Sequence, residues 1–115
     1  MFFYFDIIGN MKTKRALVAL SALAQESRLA VFRLLVKHGP DGLTAGVMAE
    51  LLAMPSPTLS FHLKALAQSG LVVAKTEGRF VRYRADMAAF NALVEFLTED
   101  CCQGLPDVCS PENPK

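Results

Sequence analysis

The sequence has no C-x-x-C pair, no nucleophile elbow and no glycine-rich phosphate loop, so the usual signatures of a small thiol reductase, a hydrolase and a nucleotide-binding enzyme are missing. Net charge is also scarce, with twelve Lys and Arg against eleven Asp and Glu, leaving +1. No apolar run approaches the roughly 20 residues that cross a bilayer. The opening Met1-Phe2-Phe3-Tyr4-Phe5-Asp6-Ile7-Ile8 is apolar but lacks a basic segment before it and a small-residue cleavage site after it, which argues against a signal peptide. Two readings of this prefix stay open: an upstream-start extension, or an element that packs on a partner subunit. Cysteine is limited to three residues, an odd number that argues against a disulfide framework. The expectation is a cytoplasmic chain with no membrane association.

What is present suits one small domain. The 115 residues are 52% hydrophobic with a mean hydropathy of +0.30, enough for one core of three to five helices. The chain divides into an extension over 1–11, a folded unit over 12–99 and a cysteine-containing tail over 100–115. Its small net charge hides a polarised distribution. Residues 56–84 carry Lys64, Lys75, Arg79, Arg82 and Arg84 against Glu77 alone, whereas 85–115 carry six acidic residues against Lys115. A basic middle segment fits a polyanion partner; a solvated face is the plain alternative.

Periodicity predicts a helix with Leu17, Leu20 and Leu23 as its apolar face, then a second through Leu29, Phe32, Leu35 and Val36 that ends at Gly39-Pro40. Thr44 is placed to cap a short helix carrying Val47, Met48, Leu51 and Leu52. After Met54-Pro55, Ser56 reads as an N-cap with Pro57 at the first helical position. That helix buries Leu59, Leu63 and Leu66, and Gly70 falls where a left-handed residue closes a helix. Short helix, tight turn and second helix make a helix-turn-helix pattern. Two β-prone runs, 71–76 and 80–85, surround Glu77-Gly78 as a hairpin. Asp86 then caps a final helix whose Met87, Phe90, Val94 and Leu97 form a narrow apolar seam, either between subunits or within the core.

The exposed side of the helix from Pro57 is expected to present Thr58, Phe61, His62, Lys64 and Gln68, with Ser56 and Ser60 beside them. Short hydroxyls, an imidazole and an amide reach base edges or phosphates when a helix N-terminus enters a major groove. Lys75, Arg79, Arg82 and Arg84 on the hairpin would add backbone contacts. Taken singly, a histidine is more often structural than a ligand, and a phenylalanine more often packs than touches a base.

Four segments together resemble the ArsR family of winged-helix metalloregulatory repressors. They are Leu23-Ala24-Gln25-Glu26-Ser27-Arg28-Leu29, Ser60-Phe61-His62-Leu63-Lys64-Ala65-Leu66, Gly70-Leu71-Val72, and Glu77-Gly78-Arg79-Phe80-Val81-Arg82-Tyr83. The resemblance implies a mainly α winged helix-turn-helix of about five helices plus a small two-stranded β-hairpin, dimeric through its first and last helices. It also implies an apo-dimer that binds an imperfect inverted repeat of double-stranded operator DNA and releases it when an inducer binds. The expected DNA-binding residues are Ser56, Thr58, Ser60, His62, Lys64, Lys75, Arg79 and Arg82.

The sequence departs from two of the family's sensing patterns. Thr44-Ala45-Gly46-Val47 carries no Cys-x-Cys pair, and no histidine follows Asp86 to build a last-helix zinc site. All three cysteines, Cys101, Cys102 and Cys109, instead lie in the tail, which resembles the arsenic-responsive members with a C-terminal cysteine cluster. Three thiols without a fourth ligand suit three-coordinate As(III) or Sb(III) better than tetrahedral zinc. The expectation is therefore a repressor needing no cofactor, with As(III) or Sb(III) as inducer. A thiol-based redox-responsive repressor is the alternative; a small thiol enzyme is a weaker one.

Overall fold

The computed structural model describes residues 11–101. Five helices and three strands follow one another: α1 (Thr13–Leu23), α2 (Glu26–His38), β1 (Leu43–Thr44), α3 (Ala45–Leu52), α4 (Ser56–Gln68), β2 (Val72–Glu77), β3 (Phe80–Ala85) and α5 (Met87–Thr98). This is the expected winged helix-turn-helix, with one addition. Leu43 and Thr44 pair with Tyr83 and Arg82, so the hairpin becomes a three-stranded antiparallel sheet of order β1-β3-β2. No helix among the described residues is long and apolar enough to cross a membrane.

α4 is the centre of the core. Leu59, Leu63 and Leu66 are fully buried against Val31, Phe32 and Leu35 of α2 and Met48 of α3, while Leu71, Val72 and Ala85 close the sheet side. Each side chain of this size contributes roughly 1.5–3 kcal/mol when removed from water.

The faces of two helices differ from those expected. On α1 the buried residues are Ala16, Ala19 and Ala22, with Leu23 partly buried; Leu17 is 60% exposed and Leu20 is also exposed. Alanines let the helix backbone approach its neighbours closely, and the leucines one position further round the helix consequently turn outward. On α2, Phe32 and Leu35 are buried as expected, but Leu29 and Val36 are exposed and Val31 takes their place.

Local chemistry explains most boundaries. Gln25 caps α2 by accepting from the Arg28 amide at 2.8 Å, and the Arg28 Nε donates to the Ala22 carbonyl at 2.8 Å, which fixes the α1–α2 corner. Thr44 precedes α3 as expected, yet makes no side-chain cap bond. The α4 helix begins at Ser56 itself, with Pro55 at the cap and no side-chain bond there, so Ser56 is not the N-cap. Proline fixes φ and donates no amide, so it fits either the cap or the first turn, and the boundary slips by one residue.

Both helices of the helix-turn-helix end on left-handed residues. The Gly70 amide donates to Ala67 and the Leu71 amide to Leu66, at φ +87° for Gly70, which is a Schellman closure of α4. α3 closes the same way, Ala53 donating to Glu50 and Met54 to Ala49, but the left-handed position (φ +51°) is held by an alanine. The wing turns through Gly78-Arg79, because Glu77 pairs with Phe80. Only the first of the two has positive φ, as in a type II′ turn.

Candidate nucleic-acid interface

Along α4, Leu59, His62, Leu63 and Leu66 recur at the spacing of one apolar stripe and are buried. The opposite side carries Pro57, Ser60, Phe61, Lys64 and Gln68, with Ser56 and Thr58 also exposed at the first turn. Ser56, Thr58, Ser60 and Lys64 therefore stand in solvent on one helix, as a reading surface requires. His62 does not. It is only 7% exposed, and its Nδ1 is buried with no hydrogen-bond partner. The expectation that it points outward is corrected: His62 lies three residues after Leu59 and four before Leu66, on the core side of the helix.

Strand alternation sorts the hairpin. The pairs Val73–Arg84, Lys75–Arg82 and Glu77–Phe80 share one face, and Val72–Ala85, Ala74–Tyr83 and Thr76–Val81 share the other. Val72 and Ala85 are buried, so the second face packs on the domain at the root of the hairpin, while Ala74 and Thr76 further out are exposed; the first face carries Lys75, Arg82 and Arg84. Arg79 projects from the exposed tip. Arg82 is less available than its neighbours, since its Nε donates to Glu77 Oε1 at 3.0 Å and its Nη1 lies 3.4 Å from the Gly42 carbonyl oxygen. Asp41 and Glu77 border the same cleft as Lys75, Arg82 and Arg84, so this face of the wing is of mixed charge, with Lys75, Arg79 and Arg84 its exposed cations.

A second surface is apolar. Leu17, Val18 and Leu20 on α1 and Met87, Val94 and Leu97 on α5 are all exposed, and α1 and α5 pack against each other. The expected α5 seam is thus divided. Phe90 turns inward, its ring 5.5 Å from that of Phe32, and Leu93, absent from the expected seam, is the buried anchor at 2% exposure.

Of the three thiols, Cys101 is exposed just past α5; Cys102 and Cys109 lie outside the described residues. Among the described residues, no three His, Cys, Asp or Glu side chains gather as a metal site.

Phe61 stands on the outer side of α4, as expected. Its ring is 66% exposed and stands edge-on to the His62 ring, with centroids 5.6 Å apart. Its position three residues before Lys64 and seven before Gln68 already marked it as outward, but residue type favoured packing.

Comparison with known proteins agrees with this geometry. Residues 23–73 match a family model described as a helix-turn-helix domain. An uncharacterized HTH-type transcriptional regulator of Bacillus subtilis, YceK, is 36% identical over 67 residues, covering 56% of this chain and 66% of that protein's own length. HlyU from Vibrio cholerae superposes with a TM-score of 0.61 at 31% identity, covering 81% of this chain and all of that one. A homodimeric winged helix-turn-helix DNA-binding domain from Mycobacterium bovis, residues 1–100 of Mb0332, a possible ArsR-family transcriptional regulator, gives 0.60 at 29% identity. There the match covers 80% of this chain and 85% of the domain.

Proposed function

Because this chain belongs to the ArsR family of winged-helix transcriptional regulators, we propose that it is a homodimeric repressor which binds operator DNA and releases it when As(III) or Sb(III) takes three tail thiols. The observation that carries the DNA-binding part is the outer side of α4. Thirteen residues, about 20 Å of helix, present Ser56, Thr58, Ser60 and Lys64 away from the core, with the cationic hairpin directly following in the chain. A helix 10–12 Å across fits the major groove of about 12 Å, while Lys75 and Arg79 reach phosphates beside it. The apolar α1–α5 surface joins two such heads, as required to read an imperfect inverted repeat with half-sites about one helical turn apart.

The inducer part rests on cysteine chemistry. Cys101, Cys102 and Cys109 supply three soft ligands, which matches the three bonds of a pyramidal As(III) or Sb(III) centre. Neutral As(OH)₃ brings three hydroxides that leave as water with the three thiol protons, so its affinity should change little between pH 6 and 8. Cd²⁺ must instead expel those protons and should bind more tightly as pH rises.

A gel shift with operator DNA under reducing conditions, titrated with As(III), tests the proposal. Release by As(III), lost in Cys101→Ser, Cys102→Ser and Cys109→Ser while operator affinity stays unchanged, is the expected result. Release only after an oxidant is added would replace the inducer with a redox switch. Wild-type As(III) response in all three variants would remove the tail from sensing.

A further inference from the structure

Resting on the DNA-binding reading above, we infer that Phe61 is a specificity-determining residue that reads the 5-methyl group of a thymine in the major groove. Every other large apolar side chain of α4 is fully buried, whereas the Phe61 ring is 66% exposed on the side opposite Leu59, Leu63 and Leu66. It contributes nothing to the core. It also lies on a different element from the exposed apolar residues of α1 and α5, so the surface that joins two subunits does not account for it.

Its neighbours define the partner. Ser60, Phe61, Lys64 and Gln68 share the outward side, so the apolar ring is set among one cation and two hydrogen-bonding side chains. A base edge in the major groove offers that same mixture: donors and acceptors from all four bases, and one apolar group, the thymine methyl. The ring is also partly fixed in place, because its edge-on contact is to His62, a side chain held in the core. A ring positioned before binding loses little side-chain freedom on contact, which suits discrimination.

The test begins with selection of bound sequences from random duplex DNA by the wild-type protein and by Phe61→Ala. The wild type should enrich a thymine at one position of each half-site, and Phe61→Ala should lose that preference while keeping the others. Replacing this thymine by uracil in the selected site should weaken wild-type binding about fourfold per methyl group, corresponding to about 0.8 kcal/mol, and leave Phe61→Ala binding unchanged. An unaltered thymine preference in Phe61→Ala, or a uracil penalty that persists in that variant, overturns the inference while leaving DNA binding intact. Failure of the wild type to enrich any sequence overturns the DNA-binding reading and this inference with it. The melting temperature of Phe61→Ala should match the wild type because the ring is outside the core, and a large drop would show that its role is structural.

Discussion

The backbone amide of Asp86 donates to the carbonyl of Leu71 at 2.9 Å, joining the residue that enters α5 to one that leaves α4. The bond sits one step beyond the Val72–Ala85 pair, so it closes the root of the hairpin. Asp86 uses its side chain as well, Oδ1 accepting from the Ala89 amide at 3.1 Å. One residue thus terminates the sheet, caps α5 and fixes the reading helix relative to the helix with the exposed seam.

Removing the carboxylate separates these roles, since Asp86→Ala keeps the backbone bond and loses the cap. The expected cost is about 1 kcal/mol, or about 5 °C in Tm for a domain of this size, with Asp86→Asn close to wild type. Equal melting of the alanine variant and wild type, followed by circular dichroism, would show that the cap contributes nothing.

Three glycines make a graded series. A Cβ on Gly42, at φ +71°, would lie 2.4 Å from the Tyr83 carbonyl oxygen on β3, so Gly42→Ala must push the β1 entry off the sheet and should cost about 2 kcal/mol or more. Gly78 has φ +62° but open space around it, so Gly78→Ala should cost only about 1 kcal/mol. Gly46, inside α3 with negative φ and open space, should gain about 0.5–1 kcal/mol on change to alanine. Urea midpoints in any other order would contradict the packing around β1.

Subunit association should depend on residues that the monomer leaves exposed. Leu17→Glu and Val94→Glu each place a carboxylate on the α1–α5 surface and should weaken the dimer by about two orders of magnitude, roughly 3 kcal/mol, while the far-UV spectrum stays native. Operator affinity should fall in parallel. A sedimentation profile that remained dimeric in both variants would place the interface elsewhere.

Electrostatics on the wing should divide by ion pairing. Lys75→Ala and Arg79→Ala should each lower the slope of log affinity against log salt by about 0.9 for every phosphate that the side chain neutralises. Arg82→Ala should change the slope less, because its guanidinium already faces Glu77; that exposed pair is itself worth no more than about 1 kcal/mol. Fluorescence anisotropy over a salt series from about 50 to about 200 mM, across which phosphate-driven affinity falls steeply, reads all three. Unchanged slopes for both Lys75→Ala and Arg79→Ala would take the wing out of the interface.

How far the sequence could be read depended on how local the cause was. Gly70 after α4, Asp86 before α5 and the hairpin around Gly78 were legible because each is set by a few adjacent residues. β1 was not, since two residues become a strand only by pairing with Tyr83 and Arg82 almost forty positions away. The placement of His62 was available in principle: Leu59, His62, Leu63 and Leu66 form an unbroken apolar-stripe spacing, and assigning the imidazole outward followed its chemistry instead of its position. Arg82 was correctly placed on the wing, but its bond to Glu77 depends on two-residue turn geometry that composition does not show. The proposed thiol site could be argued only from cysteine chemistry, since Cys102 and Cys109 lie outside the described residues.

The alanine face of α1 means that hydropathy ranks this helix backwards for mutational tolerance. Ala16 and Ala19, each 1% exposed, are the positions where an added methyl or isopropyl group has nowhere to go, and overpacking of this kind costs typically about 1–3 kcal/mol. Leu17 and Leu20 should accept polar replacements with little change to the folded monomer. A saturation scan read by protein abundance would therefore show intolerance at the alanines and permissiveness at the leucines. The same library read by repression would show intolerance at both, so the difference between the two readouts would trace the oligomeric surface residue by residue.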